Sequence, residues 1–228
     1  FKNYMSVDRL LFKTTFIKKY NRSTNYMYYL WPGVLSAVLQ QVMLLALALS
    51  FASEFENGTF SQLVQKSNSI VQMMSVKIIP YLVMSFGVWL IYWFFTFYFR
   101  IPFFTNLPQL TFVAGIFILS VSFIGILVSI LIPNQLKATE ILMVIATPSF
   151  ILSGFSWPLS QMPNWVQGVA NIIPLTHFLK AFRILIIEEG TLSQVQNPIY
   201  NMIIIGIVCA ILSYIALYFK SKKALQST

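Results

Sequence analysis

The residues able to do acid–base, nucleophilic or metal chemistry are few and scattered. His177 is the sole histidine and Cys209 the sole cysteine. A histidine metal cluster, an HExxH site, a disulfide within the chain and a cysteine-rich metal site are therefore excluded. A lone histidine in such apolar surroundings reads as a polar contact. The carboxylates come closest together at Glu54 with Glu56 and at Glu188 with Glu189, and neither pair falls inside an apolar stretch. No GxxxxGK[ST] phosphate loop occurs. An active site needs a nucleophile and base, paired acids or metal ligands converging in one pocket, and this chain offers little of that. Two other polar residues stand out, Gln40 and Gln41, in the middle of an uncharged run. They could bond between helices or line a substrate path, and a helix partner is the commoner fate of a polar residue in lipid.

The elements that would carry these residues follow from the solvent the chain requires. It is 57% hydrophobic and 9% charged, where a soluble domain carries about 25% charged residues. With 15 Lys and Arg and 6 Asp and Glu in 228 residues, it cannot cover a water-facing exterior. Lipid is the fitting solvent. The net charge of +9 does not point to nucleic acid, because no basic face interleaved with aromatics can be drawn; the cations sit at the ends of apolar runs, six from Lys2 to Arg22 and three from Lys220 to Lys223.

Charge-free runs mark five spans of an all-α membrane protein, since about 20 apolar residues cross the hydrocarbon. They cover residues 33–53, 78–99, 107–132, 135–154 and 198–219. Trp31, Tyr26, Tyr28 and Tyr29 form an aromatic belt ahead of the first, and Pro32 suits a first helical turn. Lys77 and Arg100 bracket the second, and Pro133-Asn134 break the third. Pro148 should kink the fourth. Gly125 and Ser129, four apart, have the small-residue spacing that lets helices approach closely. Residues 54–77 form a polar amphipathic connector, a natural surface for a soluble partner. Residues 155–197 are too apolar for a water-exposed loop; Pro163 to Asn171 and Pro174 to Glu188 can each form a short helix against a membrane interface, with Lys180 and Arg183 on one side of the second. The chain begins at Phe1 without a short apolar signal region and reads as a fragment.

Four blocks resemble the membrane subunits of type-2 ATP-binding-cassette exporters, in the bacterial group that includes drug-efflux permeases. "YNRSTNYMYYLWPGVLSAVLQQ" is similar to that family's approach to its second span. "SFASEFENGTFSQL" resembles its Glu-x-Glu-x-Gly-Thr-x-x-x-Leu segment through Glu54, Glu56, Gly58, Thr59 and Leu63. "VKIIPYLVM" resembles the start of the third span. "PSFILSGFSWPLSQMPNWVQGVANIIPLTHFLKAFRILIIEEGTL" is similar to the outer re-entrant region through Ser153, Gly154, Pro158, Met162, Pro163, Pro174 and Arg183.

The resemblance implies a permease subunit of the inner membrane that moves a substrate outward, paired with a second copy or a homologous permease. ATP and magnesium would bind cytoplasmic ATPase subunits, with no cofactor on this chain and no nucleic-acid partner. Residues 1–29 would be the tail of an extracytoplasmic segment whose preceding span is missing, and 30–228 the permease domain. Residues 54–77 would be the cytoplasmic coupling segment, with Glu54, Glu56 and Thr59 anchoring the start of a short helix and Gly58 permitting a tight turn. Residues 155–197 would form the outer gate. Charge counting opposes this orientation, with six Lys and Arg inside against nine for the reverse; the family orientation is preferred because translocated domains largely escape that rule. An ATP-independent channel or structural scaffold is the alternative, and the acidic connector and Met-Pro outer segment argue against it.

Overall fold

The computed structural model describes residues 26–67, 69–98 and 106–226. Eight α-helices follow one another among them: α1 Tyr26–Glu56, α2 Phe60–Lys66, α3 Ile70–Tyr98, α4 Leu107–Leu131, α5 Gln135–Leu152, α6 Asn164–Ile172, α7 Pro174–Phe182 and α8 Gln196–Gln226. Five of them, α1, α3, α4, α5 and α8, are long and apolar enough to cross a membrane, and a sixth crossing arises only if the bent pair α6–α7 counts as one. Without water in the bilayer, backbone groups must bond within the helix, which is why these runs are helical throughout. The sequence-based tail at residues 1–29 lies largely outside the described residues; Tyr26 to Tyr29 belong to the first turn of α1.

α4 is the centre of the bundle. Its most apolar stretch is 61% buried, against 11% for α3, and it packs on α1 along one side and α8 along another. Small residues make both contacts close. A Cβ on Gly125 would lie 2.7 Å from that of Leu47 on α1, and one turn on the Ser129 hydroxyl accepts the Phe51 and Ala52 N–H groups at 2.7 and 2.9 Å. Toward α8, Ser120 Oγ donates to the Met202 carbonyl at 2.7 Å, where Gly206 leaves it room. The Gly125/Ser129 spacing is thus the α1–α4 contact.

α1 and α5 run antiparallel. Glu56, ending α1, touches Gln135, starting α5, while Gly33 near the start of α1 abuts the Phe155 ring just beyond α5. These contacts define two ends of the bundle: one carries α2, the other the irregular segment from Ser153 to Val195.

Three helices overrun the expected spans: α1 starts at Tyr26, α8 ends at Gln226 and α3 starts early. Helix α3 starts at Ile70, eight residues before the expected Ile78, because the charge of Lys77 that set that boundary is paired with Glu54 at 2.6 Å. α7 is covered by protein: Pro174 through Leu179, Ala181 and Phe182 are buried among α4, α5 and α8. The Phe178 ring stacks on Phe117 of α4 at 4.5 Å. Its amphipathic look comes from a face that is buried by protein, and only α6 keeps an exposed apolar side, with Trp165, Val169 and Ile172. The two helices bend by 89° between them, and α7 runs into a π-helical turn at Arg183–Ile187.

Candidate functional site

At the α2 end, the last turn of α1 contacts four elements. Glu54 accepts from Lys77 Nζ of α3 at 2.6 Å and from the Thr59 hydroxyl that opens α2. The Phe55 ring packs against Phe60 of α2 with centroids 4.5 Å apart, and Lys220 Nζ of α8 lies 3.9 Å from its centroid while donating to the Ile130 carbonyl that ends α4. Glu56 accepts the backbone N–H of Gln135 at 3.0 Å. Asn134 caps the same helix through Lys137 N. The first N–H groups of a helix have no internal partner and carry partial positive charge, so a carboxylate is well placed there.

The acids therefore do not cap α2 directly. α1 stays helical through Glu56, so its carboxylates project sideways, Glu54 to α3 and Glu56 to the N-terminus of α5; only the Thr59 hydroxyl links Glu54 to the start of α2. Gly58 makes the intervening turn with φ +70, a left-handed conformation costly for residues with a Cβ. Leu63 is half-buried against the core, while Gln62, Gln65 and Lys66 of α2 are exposed. Lys77 and Lys220 complete the arrangement and were legible only as flanking cations.

At the opposite end, α5 stops at a turn where Ser153 Oγ donates to the Phe150 carbonyl at 2.6 Å and Gly154 takes φ +75. Arg183 Nη2 donates to the Gly154 and Phe155 carbonyls at 3.2 and 3.3 Å, its guanidinium 5.5 Å from the Phe155 ring centroid. Asn106 at the head of α4 donates to the Leu185 and Gly190 carbonyls at 2.8 and 3.2 Å, fixing the π-helical turn. Nothing in the spacing announced Asn106. Lys180 is exposed whereas Arg183 folds inward, so the two do not share surroundings. Pro158 and Pro163 are exposed and Met162 half-buried along the following loop, where the Met162 carbonyl accepts Gln167 Nε2 at 2.9 Å. Pro174 is buried at the head of α7. The expected gate residues thus divide into a bonded junction (Ser153, Gly154, Arg183), a surface loop (Pro158, Met162, Pro163) and the buried Pro174.

Gln40, 2% exposed, donates from Nε2 to Ser149 Oγ of α5 at 3.0 Å, and Gln41 is half-buried. His177 is buried, its Nε2 2.8 Å from the Asn171 carbonyl and its Nδ1 3.5 Å from Asn201 Nδ2, a polar contact joining α6, α7 and α8. No group of three or more His, Cys, Asp or Glu able to hold a metal occurs among the described residues.

Five helices long and apolar enough to cross a membrane, with charge near their ends and an irregular, proline-broken segment before the last, define a multi-pass membrane domain. The chain belongs to the ABC-2 family of transporter proteins, which matches residues 8–215. It is 27% identical over 195 residues to the "Probable multidrug ABC transporter permease YbhR" of Escherichia coli K12, covering 82% of this chain and 51% of that protein. It is 27% identical over 158 residues to the "Probable multidrug ABC transporter permease YbhS", covering 68% and 42%. Against the "ABC transporter G family member 20" of Dictyostelium discoideum it is 25% identical over 172 residues, covering 72% and 22%. The chain thus spans about half the length or less of these relatives. No solved structure matches.

Proposed function

We propose that this chain is the permease subunit of an ATP-binding-cassette exporter, pairing with a second copy or a homologous permease and with two cytoplasmic ATPase subunits that bind ATP and magnesium. Residues 54–77 face the cytoplasm in this reading, and α2 rests on the ATPase. The observation that carries it is the last turn of α1, where Glu54, Phe55 and Glu56 tie the end of α1 to three other spans while Glu54 and Phe55 also hold the start of α2. A short helix with an exposed polar face, joined firmly to several spans, is what an external motor needs in order to move them. Binding energy at such a surface shifts the spans only by its differential contact with their two arrangements.

The segment 155–197 then closes the path on the outer side. Irregular backbone at membrane depth is stable only where protein or a water-filled cavity covers it, and burial of α7 supplies that cover. Gln40 acts as a brace between α1 and α5; Gln41, about 100° further round the helix, is the candidate for the translocation path.

Copurification of an ATP-binding-cassette ATPase with the full-length protein, followed by substrate-stimulated hydrolysis, tests the assignment. Charge reversal at Glu54 and Glu56 should lower substrate-coupled turnover, and unchanged turnover and transport would remove the coupling role. Crosslinking Met162 to its neighbours should block export; free export through the crosslinked form would remove the gate.

A further inference from the structure

The three consecutive residues at the end of α1 lead to different places. Glu54 reaches α3, and Phe55 reaches α8 through Lys220. Glu56 reaches α5, whose far end is the Ser153–Gly154–Phe155 turn that holds Arg183. α5 joins those two places along its length and packs on α1. Of its most apolar stretch 22% is buried, as in α8, between 11% in α3 and 61% in α4. Pro148 removes the N–H that would reach the Val144 carbonyl, so that turn lacks one of the helix's hydrogen bonds. One residue on, Ser149 takes the Gln40 brace. The helix is thus held at its first turn by a carboxylate, short of one hydrogen bond near its last turn, and ended by the Arg183 junction.

We propose that Glu56 is a positioning residue that carries displacement of the α1–α2 turn into α5, so that motion at α2 reaches the Gly154–Arg183 turn through α5 and not through α3 or α8. This rests on the permease reading above.

The test uses the assembled complex with its ATPase, in membranes. The reporter is a thiol introduced by Trp157→Cys, an exposed position beside the turn, with Cys209→Ala removing the native thiol. An impermeant maleimide measures its labelling rate without nucleotide and with ATP trapped. Gln135→Pro deletes the N–H that Glu56 accepts while placing proline at a first helical position, where it is well tolerated. The expected result is continued ATP hydrolysis with the difference in labelling rate between the two states reduced about 2- to 5-fold, the scale of one carboxylate at a helix N-terminus. Glu56→Gln should reduce it likewise, and Glu56→Asp should retain more of it. An undiminished difference in both Gln135→Pro and Glu56→Gln overturns the proposal, as does loss of ATP hydrolysis in Gln135→Pro, which would make the contact one of assembly. If the parent protein binds no ATPase at all, it is the permease reading that falls.

Discussion

Gly125 and Leu47 bring α4 and α1 together so closely that a Cβ on the glycine would lie 2.7 Å from the leucine Cβ. Both positions are in the most buried part of the bundle. Gly125→Ala should therefore force the two helices apart, at about 1–3 kcal/mol. Gly206→Ala comes no nearer than 3.1 Å to the Ser120 hydroxyl and 3.4 Å to its Cα and should be milder. Thermal unfolding of both variants in detergent checks the order; equal midpoints would refute it.

The pair Glu54 and Lys77 is about one-fifth exposed at each side chain, which limits it to roughly 1 kcal/mol. Glu54→Lys and Lys77→Glu alone should each lower substrate-coupled ATP turnover. The double exchange should recover part of it, since the charges are again opposite, but not all, because the Thr59 hydroxyl loses its carboxylate acceptor. A double-mutant cycle measures the coupling. No recovery would mean that the pair acts through something other than its mutual attraction.

Gly58 holds φ +70 in open space, with no atom near a built Cβ. Only backbone conformation then opposes substitution. Gly58→Val should cost more than Gly58→Asn, since asparagine tolerates the left-handed region and a β-branched residue does not. The expected loss for valine is about 1–2 kcal/mol, read as a lower midpoint and weaker ATPase binding; a valine variant equal to the asparagine one would contradict it.

Arg183 joins two carbonyls of one turn with a single guanidinium nitrogen and covers the Phe155 ring. Lysine keeps the charge but not the planar group. Arg183→Lys should raise the labelling rate at Trp157→Cys, and Arg183→Ala should raise it further, by about 1.5–3 kcal/mol in opening free energy for bonds to a charged donor. A rate that both substitutions leave alone would show that the turn is held by other contacts.

The spans were legible because insertion energy depends on local composition, which a sequence states directly. Lys77 shows the limit of that reasoning. Its charge marked a boundary, yet its neutralising partner lies 23 residues away across the α2 turn, and pairing across a turn has no local signature. The Glu56–Gln135 contact, 79 residues apart, was hidden for the same reason, and the donor there is a backbone group that any residue type supplies. Gly125 and Ser129 announced a close approach by spacing, but Leu47 and Phe51 could not be named as its other side. α7 shows a further limit: an apolar stripe looks the same whether lipid or protein covers it, and the protein on its inner side, α4 and α8, has no local signature.

Helix α3 touches the rest of the bundle sparingly. Besides Lys77, its polar ties include Ser85 to Met43 Sδ at 2.8 Å and Tyr92 to the Leu35 carbonyl at 3.2 Å, and most of its length faces outward. Such a segment is interchangeable: another apolar stretch of equal length, grafted between residues 70 and 98 with those three positions kept, should yield a protein that still inserts and assembles, whereas the same exchange in α4 should not.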